Sequence, residues 1–207
     1  MYKRNFVIKR FMSILKDNDV AIFSGKELCE EAFVYDRPGN FYIDNVDGFA
    51  PALALGIALC NNKRVFVFCE DWEFLKEMSV AAQIGVSRAE NIFFVLLSSG
   101  RYTFSGNQPN IFAGITAPKW VFSGLGFITN DFTHYMQNKS TMKELESYME
   151  RIRGPLVILM KIKDIVDKKE MKKVKYSPEK LATRIKKFVG DTSLGTSLYT
   201  PPFIGGI

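Results

Sequence analysis

Five short stretches of this chain are almost entirely apolar: Val20–Ser24, Asn40–Asp44, Arg64–Cys69, Asn91–Leu97 and Leu156–Ile162. Each is shorter than an ordinary helix and rich in β-branched or aromatic residues, so each reads as a strand. They lack polar alternation. Both faces of such strands must therefore be covered, which points to a parallel sheet. Helical spacing returns between them, over Glu27–Tyr35, Pro51–Cys60 and Trp72–Ile84. This alternation predicts an α/β chain, a doubly wound and mostly parallel sheet with helices on both faces. Sheets of that kind bind ligands outside the carboxyl ends of their strands. The stretches Ser24–Glu27, Asp44–Phe49, Glu70–Glu73 and Ser98–Arg101 therefore carry the functional information.

The flanking segments complete the pattern. Val7, Phe11 and Ile14 fall at helical spacing among lysines and arginines, which predicts a first amphipathic helix. A long loop rich in Gly, Ser, Asn and Pro follows the fourth strand, and Trp120–Ser123 reads as a short strand. Thr141-Met142-Lys143-Glu144 has the form of a capping box and opens a helix that Gly154-Pro155 stops. Ser177-Pro178-Glu179 opens a final helix running to Val189. With 207 residues, 47% of them hydrophobic, the chain has enough apolar mass for one core. A single domain is expected over 1–190, with a mobile tail over 191–207.

Charge and cysteine usage exclude several functions. The chain carries 28 Lys and Arg against 22 Asp and Glu, a net charge of +6. The excess is local, since 11 basic and 4 acidic residues lie between Lys161 and Lys187. Apart from Tyr176 no aromatic platform accompanies these lysines, and no nucleic-acid motif does, so the stretch reads as a solvated face. Cys29, Cys60 and Cys69 form no C-x-x-C pair and sit among apolar neighbours. Buried, reduced thiols and a cytoplasmic location are expected. His134 has no ligand-spaced partners for a zinc site. No segment is apolar for long enough to cross a bilayer.

At the strand ends, Asp71 directly follows the third strand and Ser99 the fourth. Two oxygen-bearing side chains on neighbouring strand ends can share one Mg²⁺ with diphosphate oxygens. Around them stand Ser24-Gly25-Lys26, Asp36-Arg37-Pro38-Gly39-Asn40-Phe41-Tyr42, Gly48 with Ala54-Leu55-Gly56-Ile57-Ala58-Leu59, Tyr102 with Gly106-Asn107-Gln108-Pro109, and Ser177-Pro178-Glu179-Lys180. Together these resemble the diphosphate-binding domain of thiamine diphosphate enzymes, nearest to the phosphonopyruvate and sulfopyruvate decarboxylases. The resemblance implies thiamine diphosphate and Mg²⁺ as cofactors. It implies Asp71, Ser99 and the Arg101 carbonyl as metal ligands. It places Gly25, Lys26, Asn45, Asp47, Gly48, Asp71, Trp72, Glu73 and Tyr102 around the cofactor. The implied activity is decarboxylation of a 2-oxo acid bearing a phosphonate or sulfonate. The glutamate that activates the cofactor would come from a separate pyrimidine-side domain or subunit, in a homo- or hetero-oligomer.

The match is uneven at the cofactor itself. Where the family carries G-D-G-S, this chain reads Glu70-Asp71-Trp72-Glu73, and Ser99 stands in place of an asparagine. Glu27 and Leu28 replace two hydroxyl residues beside the phosphates, and Asn45-Val46-Asp47-Gly48 replaces G-S-M-G. Carboxylates facing a diphosphate repel it. Two readings follow from this pattern: a decarboxylase subunit with an altered site, or a structural or regulatory homologue that has lost the cofactor.

Overall fold

The structure is a computed structural model that describes residues 1–44, 48–114, 119–163 and 171–190. Its strands are β1 (Tyr2–Lys3), β2 (Val20–Ser24), β3 (Asn40–Ile43), β4 (Val65–Glu70), β5 (Ile92–Ser98), β6 (Arg101–Tyr102), β7 (Gln108–Pro109), β8 (Ile128–Asp131) and β9 (Leu156–Lys163). Its helices are α1 (Arg4–Met12), α2 (Lys26–Ala32), α3 (Ala50–Cys60), α4 (Asp71–Lys76), α5 (Met78–Ser87), α6 (Ile111–Gly114), α7 (Lys119–Gly124), α8 (Lys139–Arg151) and α9 (Pro178–Val189). The main sheet runs β9-β5-β4-β2-β3, and every pairing in it is parallel. β8 and β1 both lie parallel along the outer side of β9, β8 on its first half and β1 on its last two residues. β6 and β7 form a small antiparallel hairpin.

Strand period decides which side chain faces which helical layer. Ala21, Phe23, Phe66, Phe68, Phe93 and Val95 point toward α1, α2 and α8, against Val7, Phe11, Leu28, Leu145 and Met149. Their alternates Val20, Ile22, Val65, Val67, Ile92 and Phe94 point toward α3, α5 and α7, against Ala54, Ala81, Ile84 and Phe122. Phe23 stacks on Phe68 at 4.7 Å, and Phe11 meets Phe68 edge-on at 5.5 Å. The sheet is thus doubly wound, as the apolar runs require.

Several local expectations need correction. Trp120–Ser123 lies in α7, not in a strand. Phe122 is buried while Trp120 is exposed, and four residues cannot separate a period of two from one of 3.6. The helix expected over Trp72–Ile84 is two helices. Glu77 leaves helical geometry at φ −110°, ψ 29°, with its carboxylate against Gly48. The capping box of α8 sits one turn earlier than Thr141-x-x-Glu144. Asn138 is the cap, accepting the Thr141 N–H at 3.0 Å, and Thr141 Oγ1 accepts the Asn138 N–H at 3.2 Å. Cys60 is exposed at the end of α3, whereas Cys29 and Cys69 are buried. Ile14 lies beyond the end of α1 but still packs on the core. Asn45, Asp47 and the segment 191–207 lie outside the described residues.

Candidate functional site

Three strand tips meet at the carboxyl edge: Ser24 closes β2, Glu70 closes β4 and Ser98 closes β5. Gly25 turns the chain from β2 into α2 at φ +92°, a conformation that suits glycine. It also leaves room, since a Cβ there would lie 3.3 Å from Glu73 Oε1. Glu73 fills that room. Its Oε1 accepts the Ser24 hydroxyl at 2.8 Å, and its Oε2 accepts the Glu70 backbone N–H at 3.1 Å. The resulting cavity, about 440 Å³, is lined by Ser24, Gly25, Lys26, Glu27, Asp44, Glu70, Trp72, Glu73, Thr103 and Phe104.

A buried ion network lies beneath it. Arg4, the first residue of α1, reaches Glu31 with Nε at 2.9 Å and Nη2 at 3.2 Å, Glu27 with Nη2 at 3.2 Å, and Glu70 with Nη1. Arg4, Glu31 and Glu70 are all buried, while Glu27 is half-exposed. The second Glu70 oxygen accepts the Trp72 indole N–H and the Thr103 hydroxyl, both at 2.8 Å. Burial draws the Arg4 pKa down, but the charges of Glu70 and Glu31 more than reverse this and hold its proton. Burial pushes the Glu31 carboxyl above its ordinary range despite Arg4. The Trp72 ring packs on Phe104 at 4.4 Å, and the Lys76 ammonium lies 4.7 and 4.6 Å from the two rings.

Asp71 faces away from this cavity and is wholly buried. Its Oδ2 accepts the Ser98 hydroxyl and the Gly100 N–H, both at 2.8 Å, and its Oδ1 accepts the Asn110 amide at 2.9 Å. Burial raises its pKa even against these three donors. Ser98, and not Ser99, therefore meets Asp71. Ser99 Oγ accepts the Arg101 N–H at 3.3 Å, and the exposed Arg101 side chain donates to the Asn107 carbonyl. Tyr102 packs edge-on against Phe104. Of the residues expected around the cofactor, Gly25, Lys26, Trp72 and Glu73 share one cavity. Gly48 faces Glu77 instead, and Asp71, Ser99, Arg101 and Tyr102 do not line the cavity.

The DRPxNFY stretch has a different task. Asp36 accepts the Tyr42 hydroxyl at 2.8 Å, the Tyr176 hydroxyl at 2.9 Å, and both Arg184 terminal nitrogens at 2.8 and 3.0 Å. Arg37 donates to the Asp19 carbonyl at 2.7 Å. This motif clamps α9 and the end of α2 onto β3.

A diphosphate with its metal does not fit these residues. The donors at the two strand tips already hold the Glu73 carboxylate. Another anion about 4 Å away would meet roughly 4 kcal/mol of repulsion per charge pair at an effective dielectric of 20. Both Asp71 oxygens are engaged by protein donors. Among the described residues no cluster of three or more His, Cys, Asp or Glu is placed to hold a metal ion.

The chain overlays the X-ray structure of a Mycobacterium smegmatis protein described as thiamin diphosphate-dependent, with a TM-score of 0.61 at 18% identity. It overlays benzoylformate decarboxylase from Polynucleobacter necessarius with a TM-score of 0.57 at 14% identity. The fold is the thiamine diphosphate-binding fold. The overlays cover 79% and 78% of this chain but 32% and 33% of those chains, so about a third of each is matched. In sequence, the chain resembles the sulfopyruvate decarboxylase beta subunits. It is 28% identical over 107 residues to that of Methanocaldococcus jannaschii and 29% over 108 residues to that of Methanothermobacter thermautotrophicus. The matches span 51% and 52% of this chain and 57% and 58% of those relatives. No family model matches the chain.

Sequence reasoning did not find Arg4, Glu31, Ser98 or Asn110. For Arg4 a signal existed. Arg4, Val7, Ile8 and Phe11 stand at i, i+3, i+4 and i+7, which places the arginine on the buried stripe of α1.

Proposed function

We propose that this chain is the diphosphate-side subunit of a sulfopyruvate-decarboxylase-like assembly, serving there as a structural or regulatory subunit that does not itself load thiamine diphosphate. Its partner is a separate chain or domain carrying the pyrimidine side. Residues 1–190 act as one domain, in the cytoplasm, where Cys29 and Cys69 stay reduced. The resemblance to beta subunits supports the assembly. One observation carries the non-loading role: the Glu73 carboxylate, 2% exposed, occupies the donors at the tips of β2 and β4. Neutral donors already satisfied by a buried carboxylate offer nothing to a second anion.

A second reading is favoured by the names of the relatives and by the position of Asp71 at the end of β4. In it the chain is a catalytic 2-oxo acid decarboxylase subunit. Asp71, Ser99 and the Arg101 carbonyl would hold Mg²⁺, and Lys26 and Arg101 would face the anionic end of the substrate. Calorimetric titration with Mg²⁺ and thiamine diphosphate separates the two. The first reading expects no heat and no thermal stabilisation, with or without the partner chain. Micromolar binding would replace it with the second.

A further inference from the structure

The seat that Glu73 occupies has the features of an oxyanion site. A hydroxyl from one strand tip and an amide N–H from the next converge on one carboxylate. The missing side chain of Gly25 provides the space. Three further carboxylates line the cavity, Glu27, Asp44 and Glu70, of which Glu27 and Glu70 pair with buried Arg4 beneath it. The seat opens onto a cavity large enough for a small polyanion, with exposed Lys26 on its rim.

We infer that Glu73 is an internal ligand in this seat, and that this one side chain decides whether the cavity accepts an inorganic oxyanion. The inference rests on the non-loading reading and extends it to a class of ligand, the inorganic oxyanions. A carboxylate and a phosphate both accept through oxygens of similar size, so they compete for the same two donors. The tethered carboxylate holds the advantage because it pays no association entropy. Removing it frees the Ser24 hydroxyl and the Glu70 N–H and takes away one of the four carboxylates of the lining in the same step, the one seated on these donors.

The test uses the full chain, with inorganic pyrophosphate as the probe and inorganic phosphate and sulfate as comparison arms. Glu73→Ser should bind pyrophosphate at least about tenfold more tightly than the parent chain. Amide NMR shifts should move at Gly25 and Glu70, and adding Ser24→Ala should reverse the gain. A folded Glu73→Ser with the anion response of the parent overturns the inference. If Glu73→Ser folds only in pyrophosphate, that rescue supports it. If it folds in neither condition, Glu73→Gln decides, since it keeps the bulk and removes the charge. Tighter pyrophosphate binding by Glu73→Gln supports the inference, and an unchanged response overturns it. The two proposals fail separately. Thiamine diphosphate binding by the parent chain refutes the non-loading reading, whereas refusal of pyrophosphate by parent and variant alike refutes only the role of Glu73.

Discussion

Arg4→Met is the sharpest probe of the ion network. Methionine preserves most of the side-chain bulk and removes the charge. Glu31 and Glu70, with side-chain exposures of 1% and 6%, then lose their cation inside the protein. Glu27, at 50%, rehydrates and contributes little. Stranding buried carboxylates in this way costs about 3–5 kcal/mol. For a chain of this size that corresponds to roughly 6–20 °C in Tm, at about 2–4 °C per kcal/mol. The loss depends on pH, and its sign follows from Glu31. Its folded pKa is already above the ordinary value of 4.5 because of burial, and losing Arg4 raises it further. A group of this kind favours the folded state below its unfolded pKa and loses that contribution as pH rises through the folded one. The gap between variant and parent should be small near the ordinary carboxylate range and widen toward neutrality. Urea unfolding followed by far-UV circular dichroism across that range measures it. Adding Glu31→Gln and Glu70→Gln should recover much of the loss at neutral pH. A deficit under about 1 kcal/mol at neutral pH, the size of an exposed pair, would refute the reasoning. So would a deficit that does not change with pH.

Three more outcomes are expected. Asp71→Asn places an amide donor against the Asn110 amide and should cost about 1–3 kcal/mol. It should also remove a component of stability that in the parent declines as pH rises above the ordinary value of 3.8, because Asp71 is raised by burial; urea titrations at several pH values read both effects. Arg184→Ala removes the bidentate contact to Asp36 and should cost about 1–3 kcal/mol. Hydrogen exchange should then accelerate in α9 and leave β4 and β5 unchanged. A thiol reagent should label Cys60 rapidly in the native protein. Cys29 and Cys69, whose pKa values burial raises, should react only after denaturant is added, as mass spectrometry of the peptides will show.

Five strands of the main sheet were legible from their apolar runs: β2, β4 and β5 are buried along their whole length, while β3 is an edge strand whose Phe41 and Ile43 are only partly buried. Two short outer strands were not. Tyr2–Lys3 is too short to show a period, and Ile128–Asp131 is one apolar residue followed by three polar ones, a pattern an irregular loop shares. At the site, the substitutions at Glu70, Trp72 and Glu73 were legible as departures from a pattern. Their meaning was not, because it depends on where each carboxylate finds its donors. Sequence places Glu73 in the first turn of a helix, but only the fold brings Ser24 to it from another strand. The DRPxNFY stretch shows the converse. It stood out in the sequence, yet the partners of Asp36 include Tyr176 and Arg184, which lie far along the chain.

The attachment of β1 has a consequence for how the molecule assembles. Tyr2 and Lys3 pair with Ile162 and Lys163, 160 positions further along the chain, and Arg4 follows them directly. Joining such distant segments closes a very long loop, and contacts of this kind form late in folding. The glutamates on α2 and at the tip of β4 are therefore expected to remain hydrated through the early steps, while the phenylalanine-rich middle of the sheet condenses. Dehydration of the acidic centre then awaits the docking of α1, so the charged heart of the protein is sealed only when the first residues have joined β9.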